Sequence, residues 1–534
     1  LGYLSTPPGT IYTGLIMNPE DAQTYWAKML QGVEGNWLYT IPFTPEPHNG
    51  ALVGVFYVWL GHVARWFGVS LTAVWHAARF IADILLFLTI FAFITAFIPN
   101  RRTRWTAYLL TLFGSGLGWM LFIFRATYWL DAFPADFKQP GAHIFFTAMT
   151  FPHITIGTAC ILISMWSLHK LVLSPQSLVS SPQSSTSQLI IHNSLFIILI
   201  ANLSNLLLAI AYPFLLYIVI GTAVFTWLIP SIQSRKILWQ QGFRIAATFV
   251  FPAPLYVYYA YVLQTNAVFA AWDAQAGTPA APWPHYLVAF GPYLLLVGLL
   301  WWKRPSSRQK YLVFWSWLLV VVLLLYAPLG PQRRFLQGVH VPLSILSAVS
   351  LLDIVIPALT RTRLWQQIVA LPRYETPKMI RLLLLLFLLI MSMSNLYLWS
   401  DVVRTAVFVQ PDPLFRPTDE FDAANWLREN APPSAILLSD LQTGNLVAAR
   451  SGQRVMLGHW AETVDYAQKQ TIVDQFFNGS TDETWRQAQL AQFRINYIWH
   501  GPREKQLGTF DPTQTDYLKP VFANNSITIY EVVP

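Results

Sequence analysis

Cysteine is nearly absent from this sequence: Cys160 is the single one, and it lies inside the apolar run "TACILISMW". One thiol supports neither an internal disulfide framework nor a thiolate metal site, so cysteine usage carries no information on compartment. Charge is the second scarcity. Asp, Glu, Lys and Arg make up 11% of the 534 residues while 54% are hydrophobic, a balance far from that of a soluble domain. Nucleotide and hydrolase signatures are missing as well: there is no Walker-type phosphate loop, no GxGxxG after a strand, and no HExxH, CxxC or GxSxG at a useful place. That argues against an ATP-driven pump. The net charge of +8 comes from short basic clusters between apolar runs, which marks membrane orientation rather than binding of nucleic acid.

Long apolar runs are what the chain does have. Stretches able to cross ~30 Å of hydrocarbon fall near 71–98, 105–124, 144–168, 189–206, 208–228, 245–262, 286–302, 311–327, 339–358 and 380–399. Their connections alternate in charge. Arg101/Arg102/Arg104, His169/Lys170 with the Ser-rich loop 174–187, Arg235/Lys236, Lys303/Arg304/Arg308/Lys310 and the segment from Arg361 to Arg381 share one side, which the positive-inside rule makes cytoplasmic. Loops holding Asp131 and Asp136, Asp273, and Gln332-Arg333-Arg334 then face outward, with residues 1–70 and everything after Ser400. "LGYLSTPPGTIY" already reads as an external loop, so a first transmembrane helix is expected upstream of Leu1. The stretch 51–68 is apolar, but His62, Arg65 and its shortness fit an interfacial helix better than a span.

Beyond Pro411 the composition becomes that of a water-soluble α/β domain. A helix is expected over 418–430, opening at Thr418 as its cap, followed by a strand in "SAILLSD", a helix ending at Gly452, a strand in "RVMLGHW", two amphipathic helices over 463–493, and strands in "NYIWHG" and "SITIYEVV". The expected architecture is an α-helical polytopic membrane bundle of about 10–11 transmembrane helices with a C-terminal external α/β domain. Its regions are a first external loop with interfacial helices (1–70), the bundle (71–400) and the external domain (411–534).

The first loop carries Glu20-Asp21, Tyr25, Ala27, Met29, Gly35-Asn36-Trp37-Leu38, Pro45-Glu46-Pro47-His48, Tyr57-Val58-Trp59-Leu60, Trp66-Phe67-Gly68 and Ala78-Arg79. This order resembles the first loop of GT-C superfamily glycosyltransferases, in the branch of protein O-mannosyltransferases and the lipid A aminoarabinose transferase. The resemblance implies a GT-C-like fold and a polyprenyl-phosphate-linked sugar donor. One departure stands out: the family's lysine in "KPP" is missing, and His48 or Asn49 takes its place. A second stretch, "WLRENAPPSAILLSDLQTG" followed by "RSGQRVMLGHWAET", resembles the start of the external domain of oligosaccharyltransferase catalytic subunits, with Asp440-Leu441-Gln442-Thr443-Gly444 where those have an aromatic turn. The aromatic residues that help bind an acceptor sequon are absent, so peptide glycosylation is not implied.

Sugar transfer from a polyprenyl phosphate to a hydroxyl needs a carboxylate to take the acceptor proton and positive charge for the departing phosphate. A donor anchored in the bilayer puts its phosphate at the interface, where an acidic loop residue can meet the acceptor. Asp21 is the first candidate for base and Glu20 the alternate; the competing reading is two carboxylates that merely favour a helix N-terminus. Arg333 and Arg334, with His340 nearby and His48 in the first loop, are candidates for the donor phosphate, since a guanidinium matches phosphate bidentately. Lipid-headgroup snorkelling is the alternative for the two arginines. Tyr25, His153, Asp273, Asp440, His459 and Glu462 form an auxiliary or acceptor-side list, with packing as the plainer role for His153 and helix capping or a solvated charge as that for Glu462. The metal is open. A divalent cation, Mg²⁺ or Mn²⁺, takes oxygen ligands, and Asp131, Asp136 and Asp273 are available as a second carboxylate, yet no spacing specifies a site.

The expected function is a bacterial cell-envelope glycosyltransferase of the cytoplasmic (inner) membrane, acting on its external face. Its expected partners are the lipid bilayer, a polyprenyl-phosphate-linked sugar and a glycan, lipid or protein acceptor, with no nucleic acid. A multi-span transporter or flippase of a lipid-linked saccharide, or a non-catalytic GT-C-like scaffold, are the alternatives.

Overall fold

The computed structural model describes residues 1–14, 17–173, 185–371 and 373–533. Most of the Ser-rich loop 174–187 therefore lies outside the described residues. Among those described, seven helices are long and apolar enough to cross a membrane: Leu71–Phe97, Pro152–Val172, Ser194–Ala211, Pro213–Gln233, Pro284–Lys303, Gln332–Thr360 and Thr376–Val409. The chain is a multi-pass membrane protein.

Three of the expected spans are corrected. The run 245–262 is a bent pair, Trp239–Phe249 and Pro252–Thr265, with a 59° angle at the break. Pro252 has no N–H to continue the helix, and the N–H of Phe251 donates to the Asn202 side chain instead, at 2.9 Å. The run 311–327 forms a helix of only 14 residues, Leu312–Leu325, about 21 Å long at 1.5 Å per residue. The run 105–124 splits into Arg101–Phe113 and Gly118–Ile123. There the backbone finds partners outside the helix: Asn395 Nδ2 donates to the carbonyls of Phe113 (2.7 Å) and Gly114 (3.1 Å), and Asp136 Oδ2 accepts the Gly118 N–H (2.9 Å). Gly116 allows the approach, because a Cβ there would meet the backbone of Ala289.

The chain divides into two compact units. The second comprises 78–257 and 278–400. In the most apolar stretch of Pro152–Val172 and of Gln332–Thr360, 72% of the residues are buried, which puts these helices in its interior, whereas in Thr376–Val409, which continues past residue 400 into the first unit, the share is 22%.

The first unit joins residues 1–77, 258–277 and 401–534, so the first loop and the C-terminal region pack as one body. Its strands are β1 (Thr10–Tyr12), β2 (Phe415–Pro417), β3 (Ile436–Leu438), β4 (Arg454–Val455), β5 (Tyr497–His500), β6 (Leu518–Ala523) and β7 (Thr528–Val532). β1 pairs antiparallel with β2, with Ile11 opposite Arg416. The other five form a mixed sheet in the order β4-β3-β5-β7-β6, with β3 parallel to both neighbours and β7 antiparallel to both of its own. Helices Thr418–Asn430, Leu441–Ser451, Tyr466–Phe476 and Glu483–Gln492 match the expected ones. Leu438, Met456, Val473, Phe476, Leu490 and Ile498 share the core of this sheet. Two details differ. Pro417, not Thr418, precedes the first helix, and the Thr418 N–H donates to the Gly9 carbonyl at 3.0 Å. The strand in "RVMLGHW" stops after Val455, and the chain turns through Gly458–Thr463.

In the first loop, helix α1 (Pro19–Glu34) starts with Pro at its first position and Glu20 and Asp21 in the first turn, where fixed φ and negative charge both favour helix. It ends at Gly35, whose φ of +101° is left-handed; the N–H groups of Asn36 and Gly35 close back on Gln31 and Gly32. Helix α2 (Phe56–Phe67) has 12 residues, which agrees with the non-spanning reading of 51–68. α1 and α2 touch backbone to backbone: a Cβ on Gly61 would meet the Met29 carbonyl, and one on Gly32 the Val58 carbonyl. Gly61→Ala is therefore expected to destabilise the detergent-solubilised protein by about 1–3 kcal/mol. Thermal unfolding indistinguishable from wild type would mean that these helices do not approach so closely.

Candidate functional site

The first unit brings together five of the residues singled out in the sequence: Glu20, Asp21, Asp440, His459 and Glu462. Asp21 is held at the start of α1 and keeps about a third of its side chain exposed (34%), whereas His459 is buried. Its Oδ1 lies 3.1 Å from His459 Nε2, and its Oδ2 accepts from Asn18 Nδ2 at 3.3 Å. The imidazole tautomer follows from its other side. The backbone N–H groups of Ala461 and Glu462 both donate to His459 Nδ1, each at 3.3 Å. A nitrogen that accepts two N–H groups is the unprotonated one, so the proton sits on Nε2 and is donated to Asp21.

The turn that presents His459 is tightly bound. Thr463 Oγ1 accepts the N–H groups of Gly458 and His459, both at 3.2 Å, and donates to the Phe43 carbonyl at 2.7 Å. Gln275 Nε2 donates to the carbonyls of Ala461 (3.2 Å) and Thr463 (2.9 Å). Glu462 carries one carboxylate oxygen to Lys28 Nζ at 2.7 Å and the other to the Tyr39 hydroxyl. Burial, and then the charge of Glu462, hold the Tyr39 phenol well above its ordinary range, so it stays a donor.

Glu20 is joined to the Asp440 end of helix Leu441–Ser451. Asp440 caps that helix by accepting the Gln442 N–H at 2.8 Å, and Gln442 Nε2 donates to Glu20 Oε1. Asn445 Nδ2 donates to the Gly458 carbonyl at 2.9 Å and to the Glu20 carbonyl at 3.4 Å. Under this cap lies Glu504, which accepts the Asp440 N–H at 2.9 Å and the Gly501 N–H at 3.1 Å.

The remaining candidates divide. Tyr25 stacks on Tyr57 with ring centroids 4.3 Å apart. His48 spends both nitrogens on its own loop: Nε2 accepts the Ile41 N–H and Nδ1 donates to the Glu46 carbonyl, both at 2.9 Å. It staples that loop. Asp273 is exposed, while its helix neighbours Trp272 and Gln275 turn toward Lys28 and the 461–463 carbonyls. In the second unit, Arg333 donates its backbone N–H to the Thr278 carbonyl at 2.9 Å, and the Arg334 guanidinium lies over the Phe214 ring at 5.2 Å. His340 is buried against His143 and Tyr293, with ring centroids 4.7 and 5.0 Å away, and His153 is buried between Phe151 and Tyr212. Among the described residues no three His, Cys, Asp or Glu side chains group as a metal site would. Asp136 is buried on Gly118 and Ser394, so it does not fit the role of an available ligand.

Sequence reasoning missed Lys28, Tyr39, Gln442 and Glu504. Lys28 left one signal: it is the first lysine of the chain, with none following before Lys138, and it stands seven residues after Asp21, which places both on one side of α1.

No protein-family model matches the chain, and no curated sequence does. Solved structures do. The chain superposes on the Archaeoglobus fulgidus oligosaccharyltransferase tethered with an acceptor peptide containing the NVT sequon, with a TM-score of 0.55 at 12% identity, over 93% of this chain and 66% of that one. For archaeal oligosaccharyltransferase AglB from the same organism, in complex with an inhibitory peptide and a dolichol-phosphate, the values are 0.52, 13%, 93% and 67%. For ArnT from Cupriavidus metallidurans bound to undecaprenyl phosphate they are 0.54, 11%, 96% and 93%. The chain thus spans about two thirds of the archaeal enzyme's length and nearly all of ArnT's. It has the GT-C fold that the first-loop resemblance implied.

Burial raises the Glu504 carboxyl from 4.5 to about 7. Between those values the folded state holds a proton that the unfolded state has lost, so this group's contribution to stability falls as pH rises from about 4.5 to about 7. The loss is on the order of 3 kcal/mol. Glu504→Gln is expected to remove that slope; unfolding measured at pH 5 and pH 8 with the slope intact would place the effect elsewhere.

Proposed function

We propose that the protein is a membrane glycosyltransferase that moves a sugar from a polyprenyl-phosphate donor to a cell-envelope acceptor on the external face of the bacterial cytoplasmic membrane, with Asp21 as general base. The observation that carries this reading is the Asp21–His459 pair. A partly exposed carboxylate in the first loop is oriented by an imidazole whose tautomer is set by two backbone amides. The likeness to ArnT bound to undecaprenyl phosphate and to AglB bound to a dolichol-phosphate supports a lipid-phosphate donor. Charge alternation between the spans supports an outward position for the first loop and for the C-terminal region.

In this reading the ionised Asp21 takes the proton of the acceptor hydroxyl as that oxygen attacks the anomeric carbon and the donor phosphate leaves with the bonding pair. The His459 Nε2–H on Oδ1 and the Asn18 amide on Oδ2 hold the carboxylate in the orientation in which it meets the acceptor. The phosphate charge is met by guanidinium, with Arg333 and Arg334 as the proposed groups.

Asp21→Asn is expected to keep the fold and donor binding while lowering turnover by ~10²–10⁴-fold, the range for a positioned proton transfer. Glu20→Gln is expected to cost less, since Glu20 already engages Gln442. The reverse order would exchange the two roles, and full turnover in both variants would make the acidic pair only a helix start and end the catalytic reading of this loop, whereas a wild type without sugar transfer would leave a scaffold or a transporter. For the arginines, Arg333→Ala or Arg334→Ala is expected to weaken binding of the polyprenyl-phosphate sugar, with Lys restoring only part because bidentate geometry is lost. Donor affinity unchanged in both Ala variants would assign these residues to lipid anchoring.

A further inference from the structure

The buried ion pair behind the candidate site has no role in that proton transfer. Lys28 and Glu462 are each 2% exposed and 2.7 Å apart. The ammonium also lies over the Tyr39 ring at 4.3 Å, with Tyr25 and Trp272 at 5.4 and 5.5 Å. Desolvating two charges offsets most of their attraction, and apolar residues of similar volume often serve stability as well or better. Stability alone therefore gives little reason for charge at this place. Position gives one. Lys28 stands on α1 seven residues after Asp21, and Glu462 stands three residues after His459. Glu462 also supplies one of the two N–H groups that face His459 Nδ1. Two ties thus run side by side from α1 to the Gly458–Thr463 turn: Asp21 to His459, and Lys28 to Glu462.

We propose that Lys28, together with Tyr39, is a positioning residue. Through the Glu462 carboxylate it holds the turn so that the Ala461 and Glu462 amides stay on His459 Nδ1, which keeps the imidazole as the Nε2–H form directed at Asp21. The proposal rests on the reading of Asp21 as base, and it adds the device that keeps the base's partner in one protonation geometry. Other charged groups near the turn act at a remove. Glu20 reaches it through Gln442 and Asn445, and Glu46 is taken by Lys469 at 2.6 Å.

The test uses the full chain in detergent and the double variant Lys28→Met/Glu462→Leu, which removes both charges at once and leaves neither buried alone. Expected are a folded protein destabilised only by the Tyr39 hydroxyl's lost acceptor, wild-type donor binding, a kcat lower by about 10–100-fold, as for lost outer partners of a functional imidazole, and little change in acceptor KM. The ¹⁵N resonances of His459 are expected to show unprotonated Nδ1 and protonated Nε2 in wild type, and a mixture of tautomers in the double variant. A double variant with wild-type kcat and wild-type His459 resonances overturns the proposal, as does a kcat loss with the tautomer unchanged. If the double variant does not fold, Glu462→Asp serves instead: it keeps the charge, shortens the arm and is expected to give the same tautomer mixture with a smaller kcat loss, and wild-type resonances there overturn the proposal. The resonances are read without turnover, so full activity in Asp21→Asn would end the catalytic reading while still leaving the positioning question decided by NMR.

Discussion

The contact between helix α1 and the Gly458–Thr463 turn is the constraint on which the first unit depends. It joins residues 438 apart at Asp21–His459 and 434 apart at Lys28–Glu462, so it closes almost the whole chain on itself. Contacts so distant carry a large loop-closure cost, and they persist because the surrounding groups leave few other arrangements. The turn's amides, carbonyls and hydroxyl are matched by Thr463, Gln275, Asn445 and Phe43. β1 pairs with β2 close by, tying the start of the chain to the entry of the C-terminal region. With its hydrogen bonds satisfied in this way, the turn has little freedom to reorient the imidazole it carries.

Much of this was legible in the sequence, and the failures have physical causes. Apolar length located the seven long spans because lipid demands continuous runs. The same measure failed at 105–124, where the apolar residues continue but Asn395 and Asp136 take the backbone groups that would continue the helix. Such a break is set by partners far away in sequence, and its local trace was the run Gly114-Ser115-Gly116-Leu117-Gly118. In the C-terminal region, period and capping residues gave four helices and four strands, while β6 and the helix Pro502–Leu507 were passed over. β6 carries Lys519 and Pro520, which weaken the strand pattern.

The site was read unevenly for a related reason. Asp21, Glu20, His459 and Glu462 could be picked as chemistry-bearing residue types, and the fold brings them to one place. Lys28 and Tyr39 could not, because a lysine in an amphipathic helix ordinarily reads as a solvated charge. The Glu462 carboxylate, more than four hundred positions on, and the Tyr39 ring beneath the ammonium make burial of that lysine tolerable. Asp273 failed in the opposite way: a carboxylate stood out in the sequence, yet the helix turns Trp272 and Gln275 toward the site and leaves Asp273 exposed.

The missing lysine of the "KPP" pattern has a consequence for the proposed chemistry. His48 stands near its place, but both of its nitrogens hold the loop, and burial lowers its pKa, which keeps it neutral. Lys28 is spent on Glu462, and Arg65 lies exposed on the last turn of α2. Among the described residues of the first loop, then, neither His48 nor Lys28 is left over as a cation for a donor phosphate. A leaving phosphate needs such charge all the same. Under the proposed reading that charge comes from elsewhere in the sequence, from the guanidinium groups of Arg333 and Arg334 in the Gln332–Leu336 turn, so a His at the place of the family's lysine moves the duty of meeting the phosphate out of the first loop.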